Sequence, residues 1–195
     1  MMKTKNIEDF LLTGTVTVGQ ARKWIKVKDE AAKSDLIKLI YHRFSNRYVK
    51  HLHHIDSGFL KMAVSCLMIE TLESFRQGKK DTKGKGVGQK MFKDFFTTEE
   101  KLFPGFKDIA PDFYSSIRCG IMHQAETTNA WRVLRKGDLL DKENRTINST
   151  KFVEALDKAL GNYVDSLKAS DFSAVIWKNA IFKIEDVCKN CKVIR

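Results

Sequence analysis

The stretch from Ser57 to Phe75 limits the choice of fold more than any other part of the sequence. A helix over this stretch would be apolar on more than one side, so other elements must surround it. Ser57 is suited to cap its first turn, because a serine hydroxyl can accept a hydrogen bond from a backbone N–H there. We therefore expect a central, buried helix. Its apolar residues are Phe59, Leu60, Met62, Ala63, Cys66, Leu67, Ile69, Leu72 and Phe75.

Five further stretches have patterns typical of helices. One runs from Asp29 to Val49, and another carries Met91 and the phenylalanines that follow it. Pro111 is expected to begin the third, since proline is favoured in the first turn of a helix. The expected N-caps of the last two helices are Ser149 or Thr150 and Ser170 or Asp171.

The segment between Ala130 and Ile147 lacks the helical pattern. Short apolar groups alternate there with turn residues, which predicts a small β-hairpin or irregular insertion near residues 130–148. A chain of 195 residues has the length of one domain, and we find neither an internal repeat nor a long linker. The sequence therefore predicts an all-α domain over residues 1–195, a helical bundle with one small β insertion.

The start of the chain and its cysteines indicate a cytoplasmic protein. The first five residues lack the apolar segment of a signal peptide, and the strongest apolar run, Met62 to Ile69, is too short to span a membrane. Four cysteines are scattered along the chain, which does not suggest a disulfide framework. We expect a reducing compartment and no membrane partner.

The charge balance favours a polyanionic partner. The chain has 35 Lys and Arg against 24 Asp and Glu, a net charge of +11. Such an excess attracts nucleic acid through counterion release, although many basic proteins bind none, and these lysines are spread along the whole chain. The glycine- and lysine-rich stretch from Gly78 to Lys90 lacks the spacing of a P-loop, and it can form a basic loop beside an RNA cleft.

The segment from Phe113 to Trp131 carries the most functional information. In it, four residues separate Arg118 from the following His123. The segment resembles the motif helix of the HEPN superfamily, in which four to six residues separate an Arg from a following His on a helix of a compact helical bundle. The resemblance implies a HEPN-like fold for most of the chain.

The resemblance also implies an activity. Active members of the family are metal-independent ribonucleases, usually homodimers in which two motif helices meet. It therefore implies a toxin-type or defence-type endoribonuclease with no cofactor, acting on RNA, with an antitoxin or another protein as a further partner. In that chemistry His123 is the general base or acid, and Arg118 stabilises the charge on the reacting phosphorus centre.

The setting of Arg118 and His123 distinguishes them from other Arg and His residues. Arg47 precedes His53 and His54 at spacings that also fit the pattern. Only Arg118 and His123 lie on a proline-started helix, with a Gly between them and a polar cluster directly after. Five steps along an ideal α-helix rotate a side chain by about 140°. Either the helix must deform or the arginine must reach around it.

The polar cluster that follows His123 is typical of the wall of a cleft. We assign a binding role to Gln124, Glu126, Thr127, Asn129 and Trp131. An exposed indole at residue 131 would suit stacking on a base or packing on a partner, whereas a buried one would belong to the core.

Two alternatives to ribonuclease chemistry remain open. The chain can be a non-catalytic helical module that binds RNA, a nucleotide or a protein partner through this cluster. Arg118 can instead form a structural ion pair, with Glu70 of the buried helix as the candidate carboxylate.

No complete metal site is expected. His51, His53 and His54 lie at a basic helix end with no paired carboxylate or cysteine at ligand spacing. Cys188 and Cys191 form half of a zinc site, and the sequence has no second Cys-x-x-Cys pair. We therefore assign no metal ligands and no cofactor.

Overall fold

The computed structural model describes residues 6–191 and confirms a mainly helical architecture. Within these residues there are seven helices, two of which contain a π-helical turn. The helices are α1 (Val18–Val27), α2 (Glu30–Phe44, continued by the π-helical turn Ser45–Val49 and by Lys50–Leu52), α3 (Gly58–Gln77), α4 (Val87–Thr98), α5 (Ala110–Asp112, the π-helical turn Phe113–Cys119 and Gly120–Gln124), α6 (Ser149–Ala169) and α7 (Val175–Lys189).

Helix α3 is the central helix that the sequence predicts. It packs against α4, α5, α6 and α7, and both its polar and its apolar residues are buried along most of its length. The Ser57 hydroxyl accepts a hydrogen bond from the N–H of Leu60, as expected of an N-cap. The helix ends at Gly78, whose φ of 62° is a left-handed conformation that glycine adopts without strain.

A cluster of phenylalanines fixes α5 against its neighbours. Phe113 of α5 stacks on Phe152 of α6, with ring centroids 5.7 Å apart and planes 8° from parallel. Aromatic pairs of this kind stabilise a core beyond the area that they bury. The start of α5 is therefore held firmly, and the helix runs from there toward solvent. The fully buried members of the cluster are Phe92, Phe95, Phe96, Phe103, Phe106, Phe113 and Phe152.

Two small sheets complete the fold. The first is an antiparallel hairpin of β1 (Leu11–Thr13) and β2 (Val16–Thr17), which the sequence analysis did not predict. The second confirms the expected insertion near residues 130–148. Its strands are β3 (Arg132–Leu134), β4 (Leu140–Asp141) and β5 (Thr146–Asn148), in the order β3-β5-β4. Strand β5 pairs in parallel with β3 and antiparallel with β4.

Two predicted N-caps are wrong. Asn148 caps α6, because its side chain accepts hydrogen bonds from the N–H groups of Thr150 and Lys151. Helix α7 begins at Val175, later than Ser170 or Asp171 would place it. Among the described helices, none has the length and apolar character that crossing a membrane requires.

The side chain of Trp177 holds the turn between α6 and α7. Its indole N–H donates to the carbonyl oxygens of Leu167 and Ser170, at 2.9 and 3.1 Å. The residues predicted to cap α7 therefore lie in this turn, before the helix begins.

Candidate functional site

Arg118 and His123 are in contact at the solvent end of α5. The Nη1 of Arg118 lies 3.4 Å from the Nε2 of His123, although five positions separate the two residues. The helix is deformed as expected, because residues Phe113–Cys119 form a π-helical turn that ends directly after Arg118. The residues from Gly120 to Gln124, which lead to His123, are α-helical, so the long arginine side chain also reaches around the helix to the imidazole.

Glu70 of α3 holds Arg118 in place. The Nε of Arg118 donates to Oε1 of Glu70 at 2.6 Å, and Thr82 donates to the other carboxylate oxygen at 3.3 Å. The guanidinium also lies over the ring of Tyr114, 5.5 Å from its centroid. The ion pair with Glu70, one of the two alternatives that the sequence left open, is therefore present.

The environment of Arg118 keeps it charged. Burial alone would lower the pKa of Arg118, but the hydrogen bond and the charge of Glu70 outweigh burial and raise it. The side chains of Arg118 and Glu70 are only 17% and 11% exposed, whereas His123 is exposed. Within residues 6–191, no acceptor is bonded to the second terminal nitrogen, Nη2. The guanidinium is thus anchored on one side and available to a ligand on the other.

The buried thiol of Cys66 near Arg118 is poorly suited to nucleophilic chemistry. Burial, followed by the charge of Glu70, raises the pKa of the Cys66 thiol far above its usual range. Cys119 lies 3.9 Å from Nη1 of Arg118, at the limit for a sulfur hydrogen bond. The exposed imidazole of His123 is therefore the group best placed to transfer a proton.

Gly120 is required by a close approach of the backbone. A Cβ at this position would stand 2.5 Å from the backbone oxygen of Glu126, a distance that real Cβ atoms do not show. The chain turns back after α5 through Ala125, whose φ is 58°, and the N–H of Glu126 donates to the carbonyl of Gly120. The segment after His123 consequently lies directly against the helix.

Three of the predicted binding residues fasten that segment to α5. The indole N–H of Trp131 and the hydroxyl of Ser116 each donate to one oxygen of the Asp112 carboxylate, both at 2.8 Å. Asn129 donates to the Ser116 hydroxyl at 2.9 Å. We call Asp112, Ser116, Asn129 and Trp131 the Asp112 network. Thr127 donates from its hydroxyl to the carbonyl of Trp131.

The hypothesis that Trp131 is an exposed binding handle is wrong. Only 4% of Trp131 is exposed, and it belongs to the core. Its indole N–H already donates to Asp112. Stacking of Trp131 on a base would therefore require the hydrogen bonds of the Asp112 network to break. Of the predicted binding residues, Gln124, Glu126 and Asn129 are exposed, and among these only Gln124 and Glu126 lie outside the Asp112 network.

The second Arg and His pattern does not form a comparable site. Arg47 donates to the carbonyl of Leu12 at 3.2 Å, whereas His53 lies 3.5 Å from a carboxylate oxygen of Asp157. Nowhere in the described part of the chain do three His, Cys, Asp or Glu side chains gather as metal ligands.

The sequence analysis gave Glu70 only a structural role and missed Tyr114 and Thr82. A carboxylate within a buried helix was the available signal for Glu70, because such a charge requires a partner. A scan against protein-family models, a search of curated proteins and a search of solved structures each found no match.

Proposed function

We propose that this protein is a HEPN-like, metal-independent endoribonuclease of toxin or defence type, with its active site at Arg118 and His123. One observation carries the proposal. A guanidinium anchored by Glu70 points its terminal nitrogen at an exposed imidazole 3.4 Å away. A fixed cation beside a free acid–base group is what cleavage of a phosphodiester bond needs.

The chemistry follows from the two side chains. His123 takes the proton from the ribose 2′-hydroxyl, whose oxygen then attacks the neighbouring phosphorus. Arg118 donates hydrogen bonds to the phosphorus-bound oxygens, on which negative charge accumulates. The P–O5′ bond breaks, and the products are a 2′,3′-cyclic phosphate and a free 5′-hydroxyl. This route uses the substrate's own nucleophile and needs no metal ion.

A homodimer would complete the site. The leaving 5′-oxygen needs a proton while His123 is taking one, so a second imidazole helps, and a second copy of the chain can supply it. Two exposed apolar side chains next to the site favour such an interface. Met122 directly precedes His123 and is 38% exposed, and Leu67, one turn before Glu70, is 39% exposed.

The basic loop between α3 and α4 supports an RNA substrate. Thr82 ties this loop to Glu70, so the exposed residues Lys83 and Lys85 follow directly after a contact with the Arg118 anchor. Neither lysine forms an ion pair within residues 6–191. Unpaired lysines beside the site can contact the phosphates of a bound strand.

Cleavage of total RNA in EDTA tests the proposal. The wild-type protein is compared with Arg118→Lys and His123→Ala, and His53→Ala is the matched control because it removes an exposed histidine outside the site. We expect cleavage by the wild type and by the control, with cyclic phosphate ends, and a loss of about 100-fold or more in the other two.

The outcomes separate the candidate functions. Equal cleavage by all four proteins, or none by any, would exclude Arg118 and His123 as a ribonuclease site. Binding of RNA without cleavage by the wild type would instead identify the non-catalytic binding module. Cleavage that increases in proportion to the square of protein concentration at high dilution would support the homodimer.

A further inference from the structure

Two arginines of α2 lie side by side, and no carboxylate among residues 6–191 neutralises them. Arg43 and Arg47 donate to the same acceptor, the carbonyl of Leu12, at 3.0 and 3.2 Å. Within residues 6–191, no Asp or Glu oxygen lies within 4 Å of either guanidinium, whereas Arg76 and Arg118 each bind a glutamate. Two guanidiniums that share one carbonyl acceptor repel each other.

The positive charges of this pair are destabilised as long as no anion lies beside them. Burial, and then the charge of Arg47, lower the pKa of Arg43 to about 10. Because arginine normally keeps its charge, the lowered pKa means that the positively charged form of Arg43 is destabilised here. An anion beside the two guanidiniums would remove the repulsion between them.

A crevice opens at this pair. It is lined by both arginines together with Tyr48 of the π-helical turn and Thr71 of α3, and the rings of Phe44 and Phe75 complete its walls. Its volume is about 20 Å³, which admits an oxygen-sized atom but not a nucleotide. The crevice therefore suits one oxygen of an anionic group whose remainder lies in solvent. Planar guanidiniums match the oxygens of phosphate particularly well.

The position of the crevice relates it to the proposed active site. Glu70, which anchors Arg118, and Phe75, which lines the crevice, lie about 140° apart around α3. Leu67, an exposed residue, lies between them on the solvent side of that helix. Arg118 and the arginine pair thus flank the exposed side of α3: Arg118 bonds to Glu70, and the crevice is lined by Thr71 and Phe75 of the same helix.

We propose that Arg43 and Arg47 bind a phosphate group of a single-stranded RNA that crosses the exposed face of α3 to reach Arg118 and His123. The RNA part of this inference rests on the proposed function, and the phosphate affinity of the pair does not. The crevice would hold the strand by a phosphate other than the one at the bond that is cut.

The first test uses inorganic phosphate and does not depend on RNA. The thermal stability of the wild type is compared in phosphate and in chloride at equal ionic strength. We expect phosphate to raise the melting temperature of the wild type and of Arg135→Gln by the same amount, and that of Arg47→Gln by less, because only the Arg118 site then remains. Arg135 is the matched control because it is an exposed arginine that Asp56 already neutralises.

The second test uses RNA binding in the His123→Ala background, so that the strand is not cut. Anisotropy of a short labelled single-stranded RNA is measured against salt concentration. With Arg47→Gln added, we expect about tenfold weaker binding, and a salt slope reduced by about 0.7 for the lost phosphate contact. With Arg135→Gln added, we expect both values to stay unchanged.

Each result decides one part of the proposal. Changes with Arg47→Gln in both tests support it in full. An unchanged RNA affinity and slope with Arg47→Gln overturns the RNA assignment, even if the phosphate effect is present. Phosphate stabilisation of Arg47→Gln that equals that of the wild type, or none in the wild type, overturns the anion site itself. If none of the proteins binds RNA, the proposed function fails, and the phosphate test still decides whether the pair binds an anion.

Discussion

Removing the Asp112 carboxylate tests whether the segment after His123 is structural. In Asp112→Ala, the hydroxyl of Ser116 and the indole N–H of Trp131 lose their acceptor, and these residues are only 0% and 4% exposed. A buried donor without an acceptor costs about 1–3 kcal/mol. The Asp112 side chain is 38% exposed, so water can replace part of the hydrogen bonding that is lost. We expect the free energy of unfolding to fall by about 2–4 kcal/mol.

Two further variants sharpen this measurement. Asp112→Asn keeps one carbonyl oxygen and can satisfy only one of the two donors, so we expect a loss of about 1–2 kcal/mol. Asp108→Ala is the control, because its carboxylate is 70% exposed and pairs with Lys142 on the surface. Urea unfolding followed by circular dichroism measures all three variants. If Asp112→Ala shifts the midpoint no further than Asp108→Ala does, the network does not hold this segment and our account of Trp131 fails.

Two more substitutions probe the site directly. In Glu70→Gln, Arg118 loses its counter-ion, and we expect RNA cleavage to fall about tenfold or more and the melting temperature to fall as well, because a largely buried guanidinium is left without its carboxylate; full activity in this variant would show that Glu70 does not position the arginine. In Gly120→Ala, the new methyl group meets the backbone of Glu126, so we expect loss of about 1–3 kcal/mol of unfolding free energy in urea and misplacement of His123; wild-type stability would contradict the close approach.

The helical part of the fold was predictable because its signals are local. The apolar pattern of α3 and its cap at Ser57 are complete within one stretch of sequence, and the structure has both. The start of α7 was not predictable, since the bonds of Trp177 to Leu167 and Ser170 hold the preceding turn. The hairpin β1–β2 was missed because its strands are only three and two residues long, too short for an alternating pattern to be recognised.

The candidate site was predictable in its location more than in its details. The awkward spacing of Arg118 and His123 indicated a deformed helix or an arginine that reaches around it, and α5 has a π-helical turn that ends directly after Arg118. The role of Trp131 depends on Asp112, which lies nineteen positions earlier in the chain. Polar residues that follow a helix suit either a cleft or a hydrogen-bonded turn, and only the three-dimensional partners separate the two.

The contact between Arg118 and His123 links the length of a motif to the length of a side chain. On an ideal α-helix, residues four positions apart share a side, and a pair five apart does not. The π-helical turn of α5 ends at Cys119, and the stretch from Gly120 to His123 is α-helical. The arginine side chain therefore bridges the angle that the backbone leaves, while Glu70 holds its Nε. A long, anchored side chain can keep one chemical relationship with a partner while the number of residues between them changes.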